Sequence, residues 1–442
     1  MSSTRRSVLL GAAGTVAALA GCNESTSDGP QSTVTPVDVP RTTAEALREA
    51  AELDWPEIPG ALRVTDDHLA AAIEDTEQLV ADLRSALERA EDDDLDVHEL
   101  GRRVQSDPEQ VPERAEARLE SAREKGPSGE ALSIIERAVR DLALPLGYLE
   151  AELGDLDRDG METALVEEEA ATRALADRFS YRVADPLAEH LPTLREAETT
   201  LGRLDVFDDA RQPLAEAESG DLEEAVAIGF ARRELEMNRR KRRDADRLQE
   251  TATDDARRSI WPAIDDRLSA VRGQVESIVD SYGDRDPPNE ATIEGEIRNI
   301  RHHIGRRGQG WLSRLDEDER SEPLSLLLDV TAWLVEFASL DAAVTRTTDR
   351  IEDGEVPTDA ILPAKRDAVE TLERAAEGDA LQRELAARSN ALINAADRTA
   401  TAGDDARTVA RTYLLYAAAD EWGSRALERG DELAATLQAQ QS

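Results

Sequence analysis

Largely apolar residues recur along this chain at spacings that alternate between four and three. Leu69, Ile73, Thr76, Val80, Leu83, Leu87 and Ala90 form one such run, and Trp261, Ile264, Leu268, Val271, Val275, Ile278 and Tyr282 form another. A turn of 3.6 residues gathers these positions on one face, whereas a strand would need them at every second residue. Charged residues fill the positions between them, as beside a coiled-coil-like seam. Sustained strand alternation is absent, and Ala, Leu, Glu and Arg, which all favour helix, dominate from Thr42 onward. The expected fold is all-α, with long antiparallel helices packed as helical bundles or a hairpin array.

Turn-forming residues punctuate the pattern. Breaks are expected at Asp92-Asp93-Asp94, Gly126-Pro127, Gly154 to Gly160, Asp185-Pro186, Gly220-Asp221, Gly283 to Pro288, Gly305 to Gly310 and Gly354 to Pro357. Pro287-Pro288 is the sharpest, because neither residue donates a helical hydrogen bond. It divides the body into an expected helical subdomain at 42–284 and another at 289–442. Gly354, Gly378, Gly403 and Gly430 recur at a separation suited to one helix and a turn, with Gly stopping one helix and Asp capping the next. The segment Glu218 to Ala225 looks like a turn of a tetratricopeptide-like array, without the period that fold requires. Leu324–Val344 is the most apolar stretch after the N-terminus. Asp329, Glu336 and Asp341 interrupt it, and each is costly in hydrocarbon, so a buried central helix is expected rather than a membrane span.

The N-terminus has a different character. Residues 1–22 read MSSTRRSVLLGAAGTVAALAGC, with Arg5-Arg6 ahead of an uncharged stretch from Val8 to Ala20. That stretch falls short of the roughly 20 residues needed to span a bilayer. Thr4-Arg5-Arg6-Ser7-Val8-Leu9 resembles a twin-arginine export signal. Leu19-Ala20-Gly21-Cys22 resembles a lipobox, and Cys22 is the single cysteine of the chain. The resemblance implies cleavage of 1–21 and attachment of membrane lipid through the Cys22 sulfur. Residues 22–41, rich in Ser, Thr and Pro, have linker composition and would tether the body.

Composition bears on the setting. The chain has 95 Asp and Glu against 53 Lys and Arg, a formal net charge of -42, and lysine only at 125, 241 and 365. Such a charge destabilises a compact state by self-repulsion, and molar salt screens it over about 3 Å. Acid-rich, lysine-poor chains of this kind resemble proteins of extreme halophiles, haloarchaea in particular. The resemblances together imply a lipoprotein on the extracellular side of the cell membrane. The acidic balance argues against nucleic acid as a partner, since that binding depends on Lys and Arg at phosphates.

Catalytic and metal-binding motifs fail on residue type or spacing. The histidines are His68, His98, His190, His302 and His303. None belongs to a His-Glu-x-x-His pair, and none lies three residues after a Glu as a di-iron bundle requires. There is no phosphate-binding glycine loop, no Gly-x-Ser-x-Gly, and no βαβ rhythm of a solute-binding protein. One cysteine excludes an intrachain disulfide and any cysteine-based metal cluster. No cofactor is expected.

Two basic islands stand out. The first runs through Arg232-Arg233 and Arg239-Arg240-Lys241-Arg242-Arg243. The second comprises Arg298, Arg301, His302, His303, Arg306 and Arg307, ending at Gly308-Gln309-Gly310-Trp311. Either could dock an anion, because the planar guanidinium fork matches carboxylate, phosphate and sulfate. Either could instead pair internally with Glu234, Glu236, Asp244, Asp246, Glu294 and Glu296, and the abundance of acids favours this. As a docking surface the second island, with Trp311, is the better candidate. The function expected is binding or scaffolding, with a cell-surface protein or acidic glycan as partner. One alternative is an accessory subunit of a transporter or secretion complex. Another is an enzyme whose site combines distant carboxylates with His302 and His303.

Overall fold

The first described helix, α1, spans Arg41–Glu52. A computed structural model describes residues 41–95, 107–204, 207–254, 259–282, 293–316, 322–351, 355–403 and 405–439, apart from 57 and 59. Arg5, Arg6, Cys22 and His98, the linker up to residue 40, Pro287-Pro288 and Gly354 lie outside these. The chain separates into a unit spanning Leu62–Ser259 and another formed by the chain on either side of it. The division thus falls at 61/62 and 259/260, and not at the proline pair. Chain order hides this because α1 packs with helices beyond residue 360.

In the Leu62–Ser259 unit, α2 (Asp66–Asp92) starts where the Thr65 hydroxyl accepts from the His68 amide, with Asp66 and Asp67 in its first turn. Both features satisfy or complement the free amides of a helix start. The expected seam of α2 is inside, with Leu69, Ile73, Thr76, Val80, Leu83 and Ala90 buried and Leu87 partly so. Then follow α3 (Val111–Lys125), α4 (Gly129–Glu152), α5 (Arg158–Arg178), α6 (Leu187–Gly202), α7 (Phe207–Ser219) and α8 (Glu224–Thr253). Gly126 and Gly220 close α3 and α7 at φ 65° and 81°, a conformation glycine adopts without a Cβ clash. Among the described residues there is no strand. One antiparallel bridge joins Arg182 to Ser259, and the Ala184 amide donates to the Ala252 carbonyl at 2.8 Å.

The axle of this unit is α8, which packs on α4, α5, α6 and α7. A cluster from α2, α3 and α4 includes Ala225 and Met237 of α8. A second cluster joins Met161 and Leu165 of α5 and Phe207 and Leu214 of α7 to Ile228 and Leu235 of α8. Each buried aliphatic side chain contributes about 2 kcal/mol. Gly229 allows α8 to approach α4 closely, since a Cβ there would lie 2.9 Å from the Leu144 carbonyl oxygen.

The other unit continues with α9 (Trp261–Tyr282), α10 (Ile293–Leu315), α11 (Pro323–Arg350), α12 (Ile361–Ala376), α13 (Ala380–Ala386), α14 (Ser389–Ala402) and α15 (Ala406–Ala439). The α9 seam is buried at Ile264, Leu268, Val271 and Val275, but Trp261 is exposed. It occupies the first position of the helix, ahead of the buried stretch. The apolar helix α11 is long and apolar enough to cross a membrane by length and composition, yet 78% of its apolar window is buried within the protein. Its interrupting acids have partners: Asp329 with Arg388 at 2.8 Å, Glu336 with Arg307 at 2.6 Å, and Asp341 with the Tyr282 hydroxyl at 3.3 Å.

Two expected breaks are absent. Gly305 to Gly310 lies within α10, and a Cβ at Gly308 would meet Val279 at 2.7 Å and Trp333 at 3.3 Å. Gly430 lies within α15, where a Cβ would meet Gln382 of α13 at 2.7 Å. Both glycines serve close helix contact. The pattern holds at Gly378-Asp379, where Asp379 and Gln382 form a reciprocal capping box at the start of α13.

The 34-residue α15, about 51 Å long, organises this unit by packing on α11, α12, α13 and α14. One buried polar cluster binds α1 to it. Lys365 is wholly buried; its Nζ donates to Asp397 Oδ1 at 2.7 Å and to the Ala51 carbonyl at 3.4 Å. The Tyr416 hydroxyl donates to the same Asp397 oxygen at 2.6 Å, and burial, then Asp397, pushes its pKa far up, so it stays protonated.

Candidate functional site

The first basic island lies on the axle helix, with Arg240 buried and its other side chains partly buried. Arg242 donates to Glu168 of α5 through Nε at 2.5 Å, and Glu168 is buried. Arg239 Nη1 donates to Glu236 at 2.7 Å, and Arg232 Nη2 approaches the same carboxylate at 3.4 Å. Arg243 pairs with Asp75 of α2 at 2.7 Å, Arg233 with Glu234 at 2.8 Å, and Lys241 with Glu136 of α4 at 3.9 Å. Internal pairing, one of the two expectations for this island, describes each of these contacts. A buried ion pair needs such partners to offset desolvation.

Arg240 is the least satisfied of the set. Its side chain is 4% exposed, and burial pulls its pKa below the usual arginine value, against the opposing pull of Asp244 and Asp75. Nη2 lies 2.8 Å from Asp244 Oδ1, within ion-pair distance but not aligned as a hydrogen bond, and buried Nε has no hydrogen-bond partner. The same Asp244 oxygen is engaged at 2.6 Å by Nε2 of His68, which is almost wholly buried at the start of α2. Two buried polar groups from two helices, Arg240 and His68, therefore meet at Asp244. Sequence spacing alone shows the Arg240–Asp244 pair, four residues apart on one helix. The approach of His68 comes only from packing.

A cleft of about 210 Å³ opens beside Arg240. Arg232, Arg239, Arg240 and Arg243 of α8 line it with Asp75, Asp82 and Glu236, over a floor that includes Leu79 and Val139. A larger groove of about 660 Å³ runs between α2 and α3. There Arg84 donates to both Glu116 oxygens, at 2.7 and 2.8 Å, and Arg123 pairs with Glu77 and Glu120. Its two arginines are already paired and four glutamates leave its lining negative, so the smaller cleft is the stronger candidate for an anion.

The second island lies along α10. Arg307 is held by buried Glu336, Arg306 is exposed, and His302 is half-buried. Trp311 is half-buried, with the Arg314 guanidinium 4.9 Å from its ring centre. The side chains of Arg298, Arg301 and His303 lie outside the described residues, as do those of Glu294 and Glu296. Of the two glycines that end the island, Gly308 packs against Val279 and Trp333, and Gly310 has open space beside it. Among the described residues, no group of three or more His, Cys, Asp or Glu is placed to hold a metal ion.

A model of a family described as a domain of unknown function, DUF8262, matches residues 67–259. That span nearly coincides with the Leu62–Ser259 unit, which contains the Arg240 cleft. No curated protein and no solved structure matches the chain.

Proposed function

We propose that this protein is a lipid-anchored module on the extracellular face of the cell membrane, exported through a twin-arginine signal and working by binding or scaffolding. The observation that carries this is the lone Cys22, directly after a charged n-region and a short apolar stretch. The thiol would take the lipid as a thioether, and two hydrocarbon chains would hold the protein stably. The acid-rich, lysine-poor composition suits a haloarchaeal surface, where molar salt screens repulsion. The body supports a binding role through its recessed, arginine-lined cleft, since only a partly buried ionic contact keeps its strength in such salt. Partners of matching chemistry are an acidic glycan or an acidic cell-surface protein.

The test is Cys22→Ser in cells. The variant should leave the membrane fraction and collect in the medium, and the native N-terminus should carry lipid by mass spectrometry. Retention of the variant on membranes, or an unmodified Cys22 sulfur, would refute the proposal.

A further inference from the structure

We infer that the cleft between α2, α4 and α8 binds one small oxyanion, a carboxylate or a phosphate-like group, through the Arg240 guanidinium. Donor valence is the first ground. A guanidinium offers five N–H groups in a fixed fork and cannot accept. At Arg240 the buried Nε–H has no partner, and Nη2 meets Asp244 out of alignment. A buried cation left short of acceptors is costly, and an oxyanion accepting from the fork removes that cost. Asp244 Oδ1, the oxygen nearest Nη2, is shared with His68, which it meets at 2.6 Å.

Access and charge are the second ground. Arg240 lines a cleft of about 210 Å³, a volume suited to one carboxylate or phosphate-like group, free or carried on a longer molecule. Four arginines and three carboxylates line it, a local excess of one positive charge in a chain of net charge -42. Of the other three arginines, Arg239 is committed to Glu236 and Arg243 to Asp75, while Arg232 lies 3.4 Å from Glu236 with its buried Nε also lacking a hydrogen-bond partner. They supply attraction, and Arg240 has two buried donors, Nε and Nη2, still without an aligned acceptor. A single water could take only one of the two unmatched donors. The inference gives the binding role proposed above a ligand class, and it stands independently of lipid attachment at Cys22.

The experiment is isothermal titration of the lipid-free full-length mature chain, in one molar potassium chloride, with inorganic phosphate and separately with acetate. The intact protein should take up one equivalent saturably. Tighter phosphate binding identifies a tetrahedral oxyanion, and tighter acetate binding a carboxylate. Arg240→Met should weaken binding at least tenfold, and Arg240→Lys, which keeps the charge but loses the fork, should recover only part of it. Gln78→Trp changes an exposed lining position without touching the Arg240–Asp244 pair, and its bulk should also weaken binding at unchanged circular dichroism. No saturable binding of either anion, or equal binding by the intact protein, Arg240→Met and Gln78→Trp, overturns the inference. Membrane release of Cys22→Ser is read separately, so the two proposals fail separately.

Discussion

Replacing Lys365 with Met removes the cation of the buried cluster beneath α1 while keeping a side chain of similar length. Lys365 is 0% exposed and Asp397 is 21% exposed, so the loss leaves a largely buried carboxylate with Tyr416 as its remaining described donor. Removing one member of a buried pair costs about 3–5 kcal/mol, and the partial hydration of Asp397 places this case near 3 kcal/mol. At about 2–4 °C per kcal/mol for a unit of this size, the midpoint should fall by roughly 6–12 °C. The assay is urea and thermal denaturation followed by far-UV circular dichroism in one and three molar potassium chloride. The loss should be alike in both salts, because mobile ions barely reach a buried pair. Adding Asp397→Asn removes the stranded charge and keeps an acceptor for the Tyr416 hydroxyl, so the double variant should regain most of the lost stability. A cost below about 1 kcal/mol for Lys365→Met, or a double variant no more stable than the single, would refute the assignment.

Helix approach and titration supply the remaining tests. Gly229→Ala places a Cβ 2.9 Å from the Leu144 carbonyl oxygen and should destabilise by about 1–3 kcal/mol. Gly273→Ala, on α9 with nothing within 4 Å, should stabilise by up to about 1 kcal/mol through helix propensity; equal effects of the two in denaturant would contradict the packing. His190 is buried, and its Nε2 lies 3.2 Å from Arg63 Nη1, which can only donate, so the imidazole accepts as a neutral ring. Burial first, then Arg63, lowers its pKa from the ordinary 6.5. Its contribution is therefore present above pH 6.5 and lost as pH falls through the folded value. His190→Gln keeps an acceptor without titrating, so its stability should fall less than that of the intact protein across this range; parallel curves would exclude the effect.

Several elements were legible in the residues alone because their causes are local. The alternating spacing of Leu69, Ile73, Thr76, Val80 and Leu83 selects helix whatever packs on it, and those residues are buried. Thr65, Asp157 and Asp379 cap helices through their own side chains. Glycine was ambiguous for a physical reason: the missing Cβ that permits a left-handed turn at Gly220 also permits tight helix contact at Gly308 and Gly430. The local sequence does not distinguish these uses. Within the candidate cleft, the run of arginines was visible, but which one lacks acceptors was not.

Composition and periodicity, as properties of neighbouring residues, determined helicity, the buried face of α2 and the buried course of α11. They also marked Cys22 and the arginine-rich helix. Tertiary packing alone decided that α1 joins the helices beyond residue 360, and that α8 and α15 act as axles. Packing likewise brought His68 to Asp244 across 176 positions and left Arg240 with an unmatched donor. Such meetings depend on the balance of desolvation and pairing among groups far apart in the chain, which no local pattern encodes.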